Sequence, residues 1–313
     1  MIRLKKIALI SIISCAMIGS VHAQSAADTI GKIKENRSIS LGVRETSVPF
    51  NYQGDDQKYI GFSLELCLKV VDELRKQLGG SEIKVVMTPT TAATRIPLLA
   101  NGTTDMQCDG ASNTADRQKQ VSFSPTVFVT GNRILSKKSS NIDNIDDLKG
   151  KPIVVMSGTT NARQIAALNT ERNLGMKILS VTEHSEALLM VETGRAAAYA
   201  QDDIYLAALV AGSKNPNDLT ISKEALSVDP YGLMLRRDDP QFKALVDKAI
   251  TDLFRSGEFK TIYAKWFQAP IPPKNVDLNW PVSVYLQAVI DKPTDTPDPQ
   301  YYVDLVAKPG AKQ

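Results

Sequence analysis

Strand-like and helix-like stretches alternate along this chain in two successive series, and that alternation restricts the fold more than any other feature. In the first series, Ile39 to Val43 reads as a strand, Phe62 to Leu78 as a helix and Ile83 to Met87 as a strand. Cys67, Val70, Val71, Leu74 and Leu78 recur at three- and four-residue spacing and form one buried helical face. A short helix from Arg95 to Ala100 stops at Asn101-Gly102. The second series reads as strand Ile153 to Met156, helix Thr160 to Leu174, strand Lys177 to Ser180, helix Ser185 to Thr193, strand Ala197 to Ala200 and helix Asp203 to Leu209. Strands that alternate with helices imply α/β architecture, with parallel sheets covered on both faces.

The chain has 313 residues, and its first 23 have the form of a secretory signal. Arg3, Lys5 and Lys6 precede an apolar stretch, and Val21-His22-Ala23 resembles a cleavage site. Ile12-Ile13-Ser14-Cys15 loosely resembles the box before a lipid-modified cysteine, but the apolar stretch continues through Ala16 to Ile18. The leader carries three of the 37 basic residues and none of the 34 acidic ones, so cleavage leaves the two equal. That neutrality argues against nucleic acid or an anionic membrane as the main partner. No later apolar run approaches the ~18 residues of a membrane span. Cys67 and Cys108 are an even pair in an exported chain, where thiols tend to be bridged.

About 290 residues suggest two domains. Thr126 to Leu135 and Tyr231 to Leu235 are apolar, each is followed by a charged cluster, and they read as two crossings between lobes. The expected division is 24–130 with 230–279 in one lobe, 131–229 in the other, and 280–313 as a C-terminal surface extension of extended chain. Paired crossings make a hinge, with a ligand in the cleft.

The run Gly102 to Phe128 concentrates the functional signal. Asp105 to Cys108 reads as a strand, Asp109 to Thr114 as a turn of small and hydroxylated residues, and Ala115 to Val121 as a helical turn with Arg117. Free backbone N–H groups at a helix start favour a carboxylate, and Arg117 adds a bidentate partner. The competing reading leaves Arg117 on a solvated face.

Eight segments now carry a family resemblance: GVRETSVPFNY from Gly42, YIGFSLEL from Tyr59, TRIPLLANGTTDMQCD from Thr94, NTADRQKQVSFSPTVFV from Asn113, DDLKGKPIVVMSGTT from Asp146, ETGRAAAYAQDD from Glu192, YGLMLRRDDPQF from Tyr231 and KWFQAPIPPKN from Lys265. Their order resembles the periplasmic glutamate/aspartate-binding proteins of polar amino-acid ABC transporters, in solute-binding family 3. The resemblance implies a two-lobed type II periplasmic-binding-protein fold. Each lobe would be a mixed, mostly parallel sheet flanked by helices. It further implies a periplasmic monomer without cofactor that delivers an amino acid to an inner-membrane permease.

By that resemblance Arg117 clamps the α-carboxylate, assisted by the Ser112 hydroxyl and backbone N–H groups at Gly110. Thr160 donates from the opposite lobe and Asp202 takes the ammonium. Arg44, Arg95 and His184, the one histidine beyond the leader, read the distal carboxylate. Phe50 lies nearest the ligand in an aromatic wall with Val48, Pro49 and Tyr52. Without the family order, Ser157 to Thr160 and Asp202-Asp203 read as helix caps.

The chain departs from its relatives at Ala92, where a hydroxyl is usual, and at Cys108-Asp109-Gly110-Ala111-Ser112, where relatives carry a Cys-Gly-Ser-Thr-Thr type loop. Asp109 either points into the cleft, against an acidic ligand, or caps the helix at Thr114. A binding module is the leading reading. A module for another polar amino acid, a lyase- or dehydratase-like enzyme on the same scaffold, and a sensor ectodomain are the alternatives. No G-x-S-x-G, H-E-x-x-H or phosphate-binding G-x-x-x-x-G-K motif supports catalysis.

Overall fold

The computed structural model describes residues 28–307. The leader expected at 1–23, with Cys15, lies outside the described residues. Two five-stranded sheets organise the molecule. The first runs in the order Lys84–Pro89, Ser38–Val43, Met106–Gln107, Met234–Arg236, Val121–Phe123. The second runs Lys177–Val181, Pro152–Met156, Ala198–Asp202, Asn132–Lys137, Leu219–Ile221. In each sheet the first three strands are parallel and the fourth is antiparallel to both neighbours. The alternation of elements therefore yields mixed sheets flanked by helices.

The fourth strand of each sheet is the one that arrives from the other lobe. Phe128–Thr130 pairs antiparallel with Asp229–Tyr231 as a separate two-stranded ribbon, and each leads straight into a fourth strand. The second crossing thus lies before the stretch Tyr231 to Leu235 expected for it. Leu233, Met234 and Leu235 are buried near the centre of the first sheet. An apolar run that is covered on both faces has the same composition in a sheet as in a crossing.

Helix Phe62–Gln77 buries Phe62, Leu66, Cys67, Val70, Val71 and Leu74, the face its spacing forecasts. It packs with helices Pro240–Ser256 and Glu258–Phe267 on the first sheet's core. Cys67 and Cys108 form a disulfide, with S–S 2.15 Å and Cα atoms 6.1 Å apart. The bridge ties this helix to the residue that opens the Asp109 loop.

The tail is not the extended chain expected of it. Val284–Asp291 and Pro299–Ala307 are helices. Val289 and Tyr302 pack on Val129 of the crossing, and Leu286 and Ile290 join the first core. The Pro-rich pieces remain irregular because proline supplies no N–H for a helix. The apolar residues between them recur at helical spacing, a signal outweighed in the reading by the prolines.

Candidate ligand site between the lobes

Chain leaving the carboxyl ends of parallel strands builds one cavity between the two lobes, as expected for open α/β sheets. Arg44 follows Ser38–Val43, Asp109 and Gly110 follow Met106–Gln107, Thr159, Thr160 and Asn161 follow Pro152–Met156, and Asp202 ends Ala198–Asp202. Arg95, Ser112, Arg117 and His184 also line it. The lobes are closed: the space between these side chains is ≈ 20 Å³, room for about one water.

Arg117 is 2 % exposed. It sits in the one-turn helix Ala115–Gln118, whose N-cap is Thr114, and its Nη1 donates to the Ser112 carbonyl at 2.8 Å. The solvated-face reading is therefore excluded. Burial first, then the charges of Arg95 and Arg163, pushes the guanidinium well below its ordinary value, to about 9. Among the described residues no carboxylate is paired with it.

Asp202 is equally buried and holds only neutral partners among the described residues. Asn161 donates to its Oδ1 at 2.7 Å, and the Tyr231 hydroxyl donates to its Oδ2. Burial first, then the charge of Asp229, raises its carboxyl above the usual range. Its side chain makes no capping bond to helix Asp203–Gly212. Among the described residues the cavity thus offers a cation and a carboxyl group with no opposite charge paired to either, and buried groups of that kind call for paired opposites when charged.

His184 opens helix His184–Glu192 and stacks on Tyr205 at 4.6 Å. Burial first, then Arg44, pushes its imidazole down to about 3, so it is neutral at pH 7. Tyr199 OH accepts from Gln201 Nε2 at 3.1 Å and lies 2.8 Å from His184 Nδ1. Nε2, the other ring nitrogen, is buried and has no hydrogen-bond partner among the described residues. Arg44 lies 3.8 Å from the half-exposed Glu183 carboxylate and 3.9 Å from the Met156 sulfur.

Arg95 lines the cavity with its guanidinium engaged by the protein itself. Its Nη1 donates to Asp109 Oδ2 at 2.6 Å and to the Gly110 carbonyl at 3.1 Å. Asp109 therefore neither stands free in the cleft nor caps the helix at Thr114.

Phe50 does not line the cavity as expected. It is fully buried, one layer behind the cavity, against Phe62, Phe128, Tyr205, Tyr231 and Phe267 at 5.1–6.2 Å between centroids. Five rings around one apolar ring make a core position, and Tyr205 supplies the wall instead. Gly110 lines the cavity, where a Cβ would strike the Tyr205 hydroxyl and the Tyr231 ring.

Contacts across the cleft hold this closed arrangement. Ser112 Oγ and Thr160 Oγ1 are 3.1 Å apart, and Thr46 Oγ1 donates to Glu183. At Gly158, with φ +77°, a Cβ would come within 2.7 Å of the Ala93 backbone. Thr159 caps helix Thr160–Glu171 by accepting from the Ala162 N–H, so the capping reading holds there and leaves Thr160 free to face Ser112.

Tyr205, Asn161, Gln201 and Met156 escaped the sequence reading. Tyr205 sits within the apolar IYLAALV run and is indistinguishable there from core. Asn161 could have been reached as the polar residue next to Thr160 in a helix's first turn. Among the described residues no group of three or more His, Cys, Asp or Glu could hold a metal ion.

The chain is 45% identical over 286 residues to the L-glutamate/L-aspartate-binding protein of Pseudomonas aeruginosa, covering 91% of this chain and 95% of that one. It is 39% identical over 297 residues to the glutamate/aspartate import solute-binding protein of Salmonella typhimurium, covering 94% and 98%. A solved ancestral arginine-binding protein bound to arginine matches with TM-score 0.67 and 30% identity, over 74% of this chain and 98% of that one. Residues 39–269 match the family described as bacterial extracellular solute-binding proteins, family 3, and the chain belongs to that family.

Proposed function

We propose that this protein is the periplasmic substrate-binding component of an ABC transporter for acidic amino acids. It takes L-glutamate or L-aspartate between its lobes as a monomer without cofactor and hands it to an inner-membrane permease. It binds its ligand and does not turn it over, in keeping with the binding-protein names of its relatives. The observation that carries the reading is the single buried cavity shared by Arg117 and Asp202. Their unpaired charges match the α-carboxylate and ammonium of an amino acid. Arg44 and the unpartnered His184 Nε2 face the side-chain end, with Thr160 and Ser112 donating from the two lobes.

Closure follows from differential contact. A ligand that touches Arg117 on one lobe and Asp202 on the other favours the closed state, and the ribbon of Phe128–Thr130 with Asp229–Tyr231 is the hinge. A thermal-shift screen of the twenty amino acids and simple dicarboxylates tests the proposal. Glutamate and aspartate should raise the midpoint most, since ligand at 100 times its Kd stabilises by about 2.7 kcal/mol. Dicarboxylates lacking the amino group should do far less. A larger shift with arginine, or none with any amino acid, refutes it.

A further inference from the structure

We propose that Asp109 determines ligand selectivity by holding the Arg95 guanidinium, which removes one cation from the pocket that receives the ligand's side chain. The inference rests on the amino-acid-binding reading above and concerns the same site.

The argument is one of charge. Besides Tyr205, the ionisable groups that line the cavity are Arg44, Arg95, Asp109, Arg117, His184 and Asp202. Arg95 and Asp109 are 4 % and 3 % exposed and joined at 2.6 Å. A buried pair at that distance is internally neutralised, and separating it would leave two unpaired charges out of water. His184 is neutral. Arg117 and Asp202 are matched by the ligand's zwitterionic head. The third ligand charge, a distal carboxylate, is then met by Arg44 alone, with the rim carboxylate of Glu183 3.8 Å away. Without Asp109 the same pocket would present two cations to the ligand. Asp109 thereby lowers the preference for an acidic side chain over its amide, and the absence of a Cβ at Gly110 lets the Tyr205 hydroxyl reach the Gly110 carbonyl that Arg95 also meets.

The decisive experiment is calorimetric titration of glutamate and glutamine into the full protein, its Asp109→Asn variant and the Arg95→Gln/Asp109→Asn double variant. Asp109→Asn frees Arg95 to pair with a distal carboxylate, so the glutamate-to-glutamine affinity ratio should rise about tenfold or more. Removing both members of a neutral pair should leave the ratio within about threefold of the parent, as double-mutant logic requires. A ratio that stays level or falls in Asp109→Asn shows that Asp109 serves only to aim Arg95 at the ligand, and overturns the proposal. Should the unpaired arginine keep that variant from folding, the double variant decides, because a tenfold fall in its ratio means Arg95 reads the ligand directly. A parent that binds neither amino acid refutes the transport reading, and the inference with it. Intact binding with an unmoved ratio refutes the inference only.

Discussion

Replacing Arg117 with Met should weaken every amino-acid ligand and at the same time stabilise the ligand-free protein. The guanidinium is 2 % exposed, donates to no carboxylate among the described residues and is pushed well below the ordinary arginine value, to about 9, chiefly by burial. The free-energy equivalent of that displacement is on the order of 5 kcal/mol held against the folded state. Its bond to the Ser112 carbonyl returns about 1.5–3 kcal/mol. The difference leaves a net gain of ~2–3 kcal/mol for Met, whose flexible, apolar chain fills the same space. At roughly 2–4 °C per kcal/mol for a chain near this size, the melting midpoint should rise by several degrees. The ligand loses a partner worth ~4 kcal/mol at 4 Å and an effective dielectric near 20, or about a thousandfold in Kd. Calorimetry with glutamate, aspartate and glutamine gives the loss, and scanning calorimetry of the ligand-free variant gives the gain. A Kd change under tenfold removes Arg117 from the clamp. A lowered midpoint refutes the claim that its charge is uncompensated.

Arg44→Ala should weaken glutamate far more than glutamine, and equal losses by titration would take Arg44 out of the selectivity argument. Cys67→Ser/Cys108→Ser opens a bridge that spans 41 positions, and the loop-entropy relation puts the cost near 4 kcal/mol. Urea unfolding measures that cost, and a loss under 1 kcal/mol would contradict it. Because the Asp202 carboxyl is raised in the fold, the native protein keeps a proton that the unfolded chain has already released. Ligand-free stability from this group therefore falls as pH rises from the ordinary Asp range toward the raised value. Glutamate affinity should rise over the same window, since the ammonium requires the ionised carboxylate. A flat Kd across that window, or the same slope in Asp202→Asn, would exclude this coupling.

The tail acquires a physical role that its composition concealed. Asn113 and Gln118 both donate to the Asp295 carbonyl, at 2.7 and 3.0 Å, on either side of Arg117. The Thr126 N–H donates to the Thr294 carbonyl at 2.8 Å, and Tyr302 meets Thr126 at the same distance. The segment after the last core helix thus braces the arginine-bearing turn and packs against one crossing. It is attached to both the first lobe and the crossing.

Period and order were legible from the residues alone. The buried stripe of Phe62–Gln77, the two strand series, the turn that presents Arg117 and the even cysteine pair follow from spacing, because a helix face or a strand is a local property of neighbouring residues. Pairings between distant residues were not legible. That Arg95 belongs to Asp109, that Tyr205 replaces Phe50 as the cavity wall, and that Arg117 lies buried when its type favours solvent all depend on which strand ends meet at one point. Local chain sets which elements form. Only their packing brings residues 44, 95, 109, 117 and 202 to one cavity, and only there does low-dielectric burial perturb ordinary charged side chains.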